Sequence, residues 1–164
     1  MTRYKPVPDP PADLEAVAAA HRAVPLVPGS VEDCCARLVA RTAVPSRDEA
    51  RRWLTFLEAL GLASETGSGY VRTDAEIDRD ALARAFRDRV FAAREVLDAL
   101  AAAGEPLTPD EAFERVADVV PTWERQRRGD WRADWTDRVT ALLGWAALLG
   151  LVERTDAGYV PAAD

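Results

Sequence analysis

Apolar positions recur at helical spacing through most of this chain, and the places where the spacing stops are marked by Gly and Pro. Val31, Cys34, Cys35, Leu38 and Val39 fall on one stripe behind an N-cap at Ser30, predicting a helix to about Arg41. Ser46 with Glu49 reads as a capping box opening a second helix, with Ala50, Trp53, Leu54, Leu57 and Leu60 turned inward and Gly61 ending it. Leu62–Ser64 and Tyr70–Arg72 then read as two strands around Gly67, Ser68 and Gly69, a hairpin. Upstream, Asp13 to Val24 predicts a short Ala-rich helix, broken by Pro25, Pro28 and Gly29. Residues 1–11 carry Pro6, Pro8, Pro10 and Pro11 and form an extended arm, disordered or draped over the surface.

Beyond the hairpin, Thr73 with Glu76 is a capping signal. Ile77, Leu82, Phe86, Val90, Phe91, Val96, Leu97 and Leu100 continue in helical phase to Gly104. This pattern predicts one long, stiff joining helix, or two abutting helices that meet near Val90. Thr108-Pro109-Asp110-Glu111 starts another helix, with Phe113, Val116, Val119 and Val120 apolar and Pro121 as its stop. Residues 122–134 read as irregular. A helix from about Trp135 to Leu149 then leads into a second pair of short strands.

The second pair repeats the first. With an offset of 89, Leu60, Gly61, Leu62, Thr66, Gly69, Tyr70 and Val71 match Leu149, Gly150, Leu151, Thr155, Gly158, Tyr159 and Val160. Helix, turn, capped helix and hairpin, said twice, resemble the winged helix-turn-helix superfamily. The resemblance implies a mainly α fold with small β-hairpin wings (α+β): two tandem winged-helix domains joined by a long helix. The expected division is an arm at 1–11, a first winged-helix domain at 12–73, a linking helical part at 74–86 and a second winged-helix domain at 87–164.

Composition narrows the function classes. The chain has 164 residues, 48% apolar and 30% charged, a balance that builds globular cores. The net charge of −7 is lopsided: residues 1–73 balance nine basic against nine acidic residues, so the whole acid excess lies beyond them. No uniform field draws in nucleic acid. Lys5 is the only lysine against twenty arginines, a bias that resembles proteins of high-GC or salt-adapted archaeal genomes. No apolar run is long enough to span a bilayer, no leader pattern opens the chain, and the adjacent Cys34 and Cys35 suit a reducing cytoplasm as small buried side chains. A cytoplasmic location is expected.

Catalysis finds no foothold. His21 is the only histidine, and there is no Cys/His cluster and no phosphate loop, so no catalytic residue, metal site or cofactor is expected. The sharper possibility is the helix from Ser46 as a recognition helix, with Arg47, Arg51, Arg52 and Thr55 outward and Arg72 on the wing as DNA contacts. Its bland counterpart is a solvated face of arginines paired with carboxylates. The equivalent helix of the second copy has Thr136, Thr140, Ala141 and Gly144 opposite its core stripe and is apolar nearly all round. It suits a domain or dimer contact. Between the two, Trp123, Arg125, Arg127, Arg128, Trp131 and Arg132 interleave as a binding platform for a partner, or as tryptophans pinning a loop while arginines pair with Glu124, Asp130 and Asp134.

Two readings follow. In one, the protein is a transcriptional regulator whose first domain reads double-stranded DNA and whose second dimerises. In the other, it is a non-enzymatic interaction module resembling the tandem winged-helix subunits of chromosome-condensing or archaeal transcription complexes.

Overall fold

The computed structural model describes residues 6–163, apart from Arg128 and the side chain of Arg127. The chain divides into two compact units, one ending at Val90 and one beginning at Phe91.

In the first unit, α1 (Leu14–Ala23) is capped by the Asp13 side chain, which accepts from the Ala16 N–H. Ser30 caps α2 (Val31–Arg41) and Ser46 caps α3 (Arg47–Ala59) in the same way. Each such cap satisfies an amide that helical bonding leaves orphaned and contributes about 1 kcal/mol. Helix α3 ends where Gly61 adopts φ +82°. A two-residue turn then joins β1 (Ala63–Thr66) to β2 (Gly69–Arg72), antiparallel, with Glu65 opposite Tyr70. The stretch before α2 supplies a third, one-residue strand: Gly29 and Tyr70 exchange both backbone hydrogen bonds at 2.9 Å. Cys34 and Cys35 are free thiols in this core, and burial pushes both of their pKa values up.

Helix α4 (Arg79–Arg89) completes the unit by packing on α3, where Phe56 and Phe86 meet edge-on at 6.3 Å. The capping signal at Thr73 is not used for it. The Thr73 hydroxyl donates to the Gly61 carbonyl, and Asp78 caps α4 instead.

The second unit repeats the order. Helix α5 (Ala93–Ala103) is followed by the lone bridge residue Leu107, then α6 (Pro109–Val116) under a reciprocal Thr108–Glu111 capping box. A turn of 3-10 helix and the short α7 (Thr122–Arg127) intervene before α8 (Trp131–Leu148). The hairpin of β3 (Val152–Thr155) and β4 (Gly158–Pro161) closes the unit, with Arg154 opposite Tyr159. The core of this unit gathers Leu100, Leu107, Phe113, Trp135, Val139, Leu142, Leu143 and Trp145.

Three expectations are corrected. Of the two forms expected for the joining segment, the single long helix is not formed and the pair of helices meeting near Val90 is: helical structure stops at Val90, which is extended, and restarts after Ala92 at φ +73°. The sequence places no Gly or Pro there, so the break is tertiary. Left-handed Ala costs about 1–2 kcal/mol, and the burial of Val90, Ala92 and Ala93 offsets it. Second, residues 122–134 are not irregular; α7 and the first turn of α8 occupy most of them. Third, Ser46 and Glu49 form half a capping box. Ser46 accepts from the Glu49 amide, but the Glu49 carboxylate turns to Asp9 and Arg52.

Candidate nucleic-acid interface and the tryptophan cluster

Helix α3 is held by its apolar face. Ala50, Trp53, Leu54, Phe56 and Leu57 are all buried, which leaves the opposite face outward. On that face Arg47, Asp48, Arg51 and Arg52 are exposed and Thr55 is half-buried, its hydroxyl donating to the Arg52 carbonyl at 3.1 Å. Arg52 also lies 3.6 Å from Glu49, with about half its side chain (48%) in solvent. The Glu49 side chain is mostly covered, but at this distance the pairing is loose and leaves half of Arg52 facing water.

Asp48, Arg51, Arg52 and Thr55 line one wall of a groove of about 550 Å³. The other wall comes from Glu65 and Tyr70 of the hairpin, and Pro6 sits at its edge. The Tyr70 hydroxyl donates to Glu65 at 2.9 Å; burial first, and then this bond, raise its pKa. It stays a neutral donor. The exposed tip of the hairpin is Gly67 and Ser68, with no charge of its own.

Arg72 faces another way. Its Nε donates to the Val24 carbonyl at 2.9 Å and its Nη2 to the Arg22 carbonyl, while Arg37 Nε donates to Ala23 at 2.7 Å. Cations at a helix C-terminus answer unpaired carbonyls and the helix dipole, so Arg72 ties the hairpin to the end of α1. His21 does similar work. Its Nε2 lies 2.9 Å from the Thr73 carbonyl, which can only accept.

In the second unit the helix equivalent to α3 carries no comparable face. Arg138 of α8 is buried, 5.5 Å from the Trp135 ring and 5.9 Å from Phe91, and Nη2 donates to the Phe91 carbonyl. Helix α8 packs against α5, α6 and β3, which accounts for apolar residues around most of its circumference. Among the residues expected outward, Thr140 is exposed, whereas Thr136, Ala141 and Gly144 are half-buried.

The tryptophans of the cluster separate by depth. Trp135 is 1% exposed and meets Phe91 edge-on at 5.8 Å. Trp131 is half-buried against Phe113 at 6.2 Å, with the guanidiniums of Arg125 and Arg132 lying 5.0 and 5.2 Å from its ring centroid. Arg125 also donates to the Ala117 carbonyl, and Arg132 pairs with Glu114 rather than with a carboxylate of its own stretch. Trp123 alone is 51% exposed. Arg128 and the side chain of Arg127 lie outside the described residues.

Among the described residues no group of three His, Cys, Asp or Glu is placed to hold a metal, and no helix is long and apolar enough to cross a membrane. No curated protein and no solved structure matches the chain. One family does match a chain of two such hairpin-closed units over nearly its full length. The family model for the halobacterial double winged helix domain matches residues 2–164, and the chain belongs to that family.

Proposed function

We propose that this protein is a non-enzymatic, cytoplasmic regulator of transcription that binds double-stranded DNA through α3 of its first unit. The observation that carries the reading is the trio of exposed arginines on the outward face of that helix, Arg47, Arg51 and Arg52. Arg47 and Arg51 stand one turn apart, about 6 Å along the axis. Two base-pair steps span about 7 Å, so both can reach one strand in a major groove. Thr55 extends the face by another turn, and Arg72 holds the wing in place beside it. Asp48 and Glu49 keep the helix near neutral, so the contacts select and position rather than attract from afar.

The second unit, which holds most of the excess acid, serves protein contact in this reading. Its exposed Thr140 on α8 and Trp123 on α7 mark two places for a second copy or another subunit. Trp123 is the specific observation that favours the alternative, an interaction module without DNA, because a half-exposed Trp is a typical anchor of protein interfaces.

The test is a titration of labelled duplex DNA across salt concentrations, with the unaltered protein and with the double variant Arg51→Ala, Arg52→Ala. Loss of two phosphate-contacting cations flattens the log–log salt slope by about 1.8, at about 0.9 per contact. If instead one or both read base edges, each costs about 1–3 kcal/mol and relaxes sequence preference. Unchanged binding by the double variant overturns the reading. Light scattering with Thr140→Arg reports on self-association through α8: a dimer that this variant splits supports it, and a monomeric parent removes it.

A further inference from the structure

Residues 6–9 of the N-terminal arm lie along the edge of the outward face of α3. Pro8 is buried, the Asp9 amide donates to Glu49 Oε2 at 3.0 Å, and Pro6 lines the groove beside Arg51, Arg52 and Thr55. Glu49 therefore has two roles, since its other oxygen lies 3.6 Å from Arg52.

A helix with its side chains is about 10–12 Å across, and the major groove is about 12 Å wide. An extended chain beside α3 does not enter with it. We infer that residues 6–11 are a gate: docked at Glu49 and along the groove, they take up the space beside the outward face of α3 that a DNA backbone would need, and they must leave before the helix enters DNA. The inference rests on the DNA reading above.

The arm suits this role physically. Four prolines hold it extended, which lowers the entropy lost on docking. The same prolines supply no amide donors, so few backbone hydrogen bonds are available to bind it tightly. An intramolecular cover of this kind lowers the apparent affinity by the fraction of molecules that are open. Opening frees the Glu49 oxygen that holds Asp9, and displacement is therefore local.

Two measurements test the gate. In the first, Pro8→Gly removes the buried ring and loosens the arm while keeping every charge, Arg3 and Lys5 included. The variant is expected to bind the same duplex about three- to tenfold more tightly, with an unchanged salt slope. In the second, hydrogen exchange is followed in residues 6–12 of the unaltered protein, where only Val7, Asp9 and Ala12 carry amides. Saturating DNA is expected to speed that exchange several-fold. Because this measurement needs no variant, a folding defect in Pro8→Gly cannot obscure it. Exchange that is unchanged or slower with DNA bound overturns the gate and leaves the DNA reading standing. If the protein binds no duplex at any salt concentration, the DNA reading falls and the gate falls with it.

Discussion

A Cβ placed on Gly69 would stand 1.8 Å from the carbonyl oxygen of Gly29. The two residues touch because Tyr70 pairs with Gly29 on both sides, drawing the start of β2 against the lone strand residue ahead of α2. Gly69 also adopts φ +134°, a region that side chains rarely enter. The second unit repeats the arrangement. Gly158 has φ +135°, and its Cβ would lie 2.5 Å from the Leu107 carbonyl. The Gly-Tyr-Val repeat is thus the contact that closes each three-stranded wing.

Alanine at either glycine must push backbone against backbone. Gly69→Ala is expected to cost the first unit about 2–4 kcal/mol, and Gly158→Ala the second unit a similar amount. Denaturant unfolding followed unit by unit checks this. A loss below about 1 kcal/mol at either position would show that the wing relaxes freely and that the close approach is not needed.

The Thr108–Glu111 box makes the second unit sensitive to acid. The Thr108 amide, and then its hydroxyl, hold the Glu111 carboxyl below its ordinary value of 4.5. A lowered folded-state pKa gives stability that is complete above the unfolded value and lost as pH falls through the folded one. Glu111→Gln keeps an acceptor for the amide but cannot titrate, so its stability is expected to decline less between about pH 5 and pH 3. Thr108→Ala removes the cap at every pH, at about 1–2 kcal/mol. Parallel pH profiles for Glu111→Gln and the parent would contradict the linkage.

Trp131 and Trp123 are expected to behave oppositely. Trp131 packs on Phe113 beneath two guanidiniums, so Trp131→Ala costs the second unit about 2–4 kcal/mol. Trp123→Ala, at a half-exposed site, changes stability by less than about 0.5 kcal/mol. Thermal unfolding of the two variants distinguishes them. Equal losses would mean that Trp123 is also part of the core.

Much of the fold is legible in the sequence. The caps at Ser30, Ser46 and Thr108 could be read because a short side chain serves an amide three residues away, a purely local act. The repeat revealed both wings for a related reason. Thr66 and Thr155 each donate to the glycine carbonyl across their turn, so the same few residues make the same turn twice. The apolar stripe leaves out Phe56, which is nevertheless buried, because it lies beside that stripe and packs on Phe86. In the repeat it aligns with Trp145, which is buried as well.

Tertiary structure decided the rest. Nothing local stops a helix at Val90 to Ala92, and only burial of these side chains stabilises a left-handed alanine there. In sequence Arg72 reads as a DNA contact and Arg125 as part of a partner platform or a pinned loop, and nothing marks Arg138 as buried. Each is tied to a distant or neighbouring backbone carbonyl, because loop and helix ends leave acceptors that only the folded chain brings within reach. The proline arm shows the same division. Its extended form follows from fixed φ angles, whereas its place on α3 depends on Glu49, forty residues away in the chain.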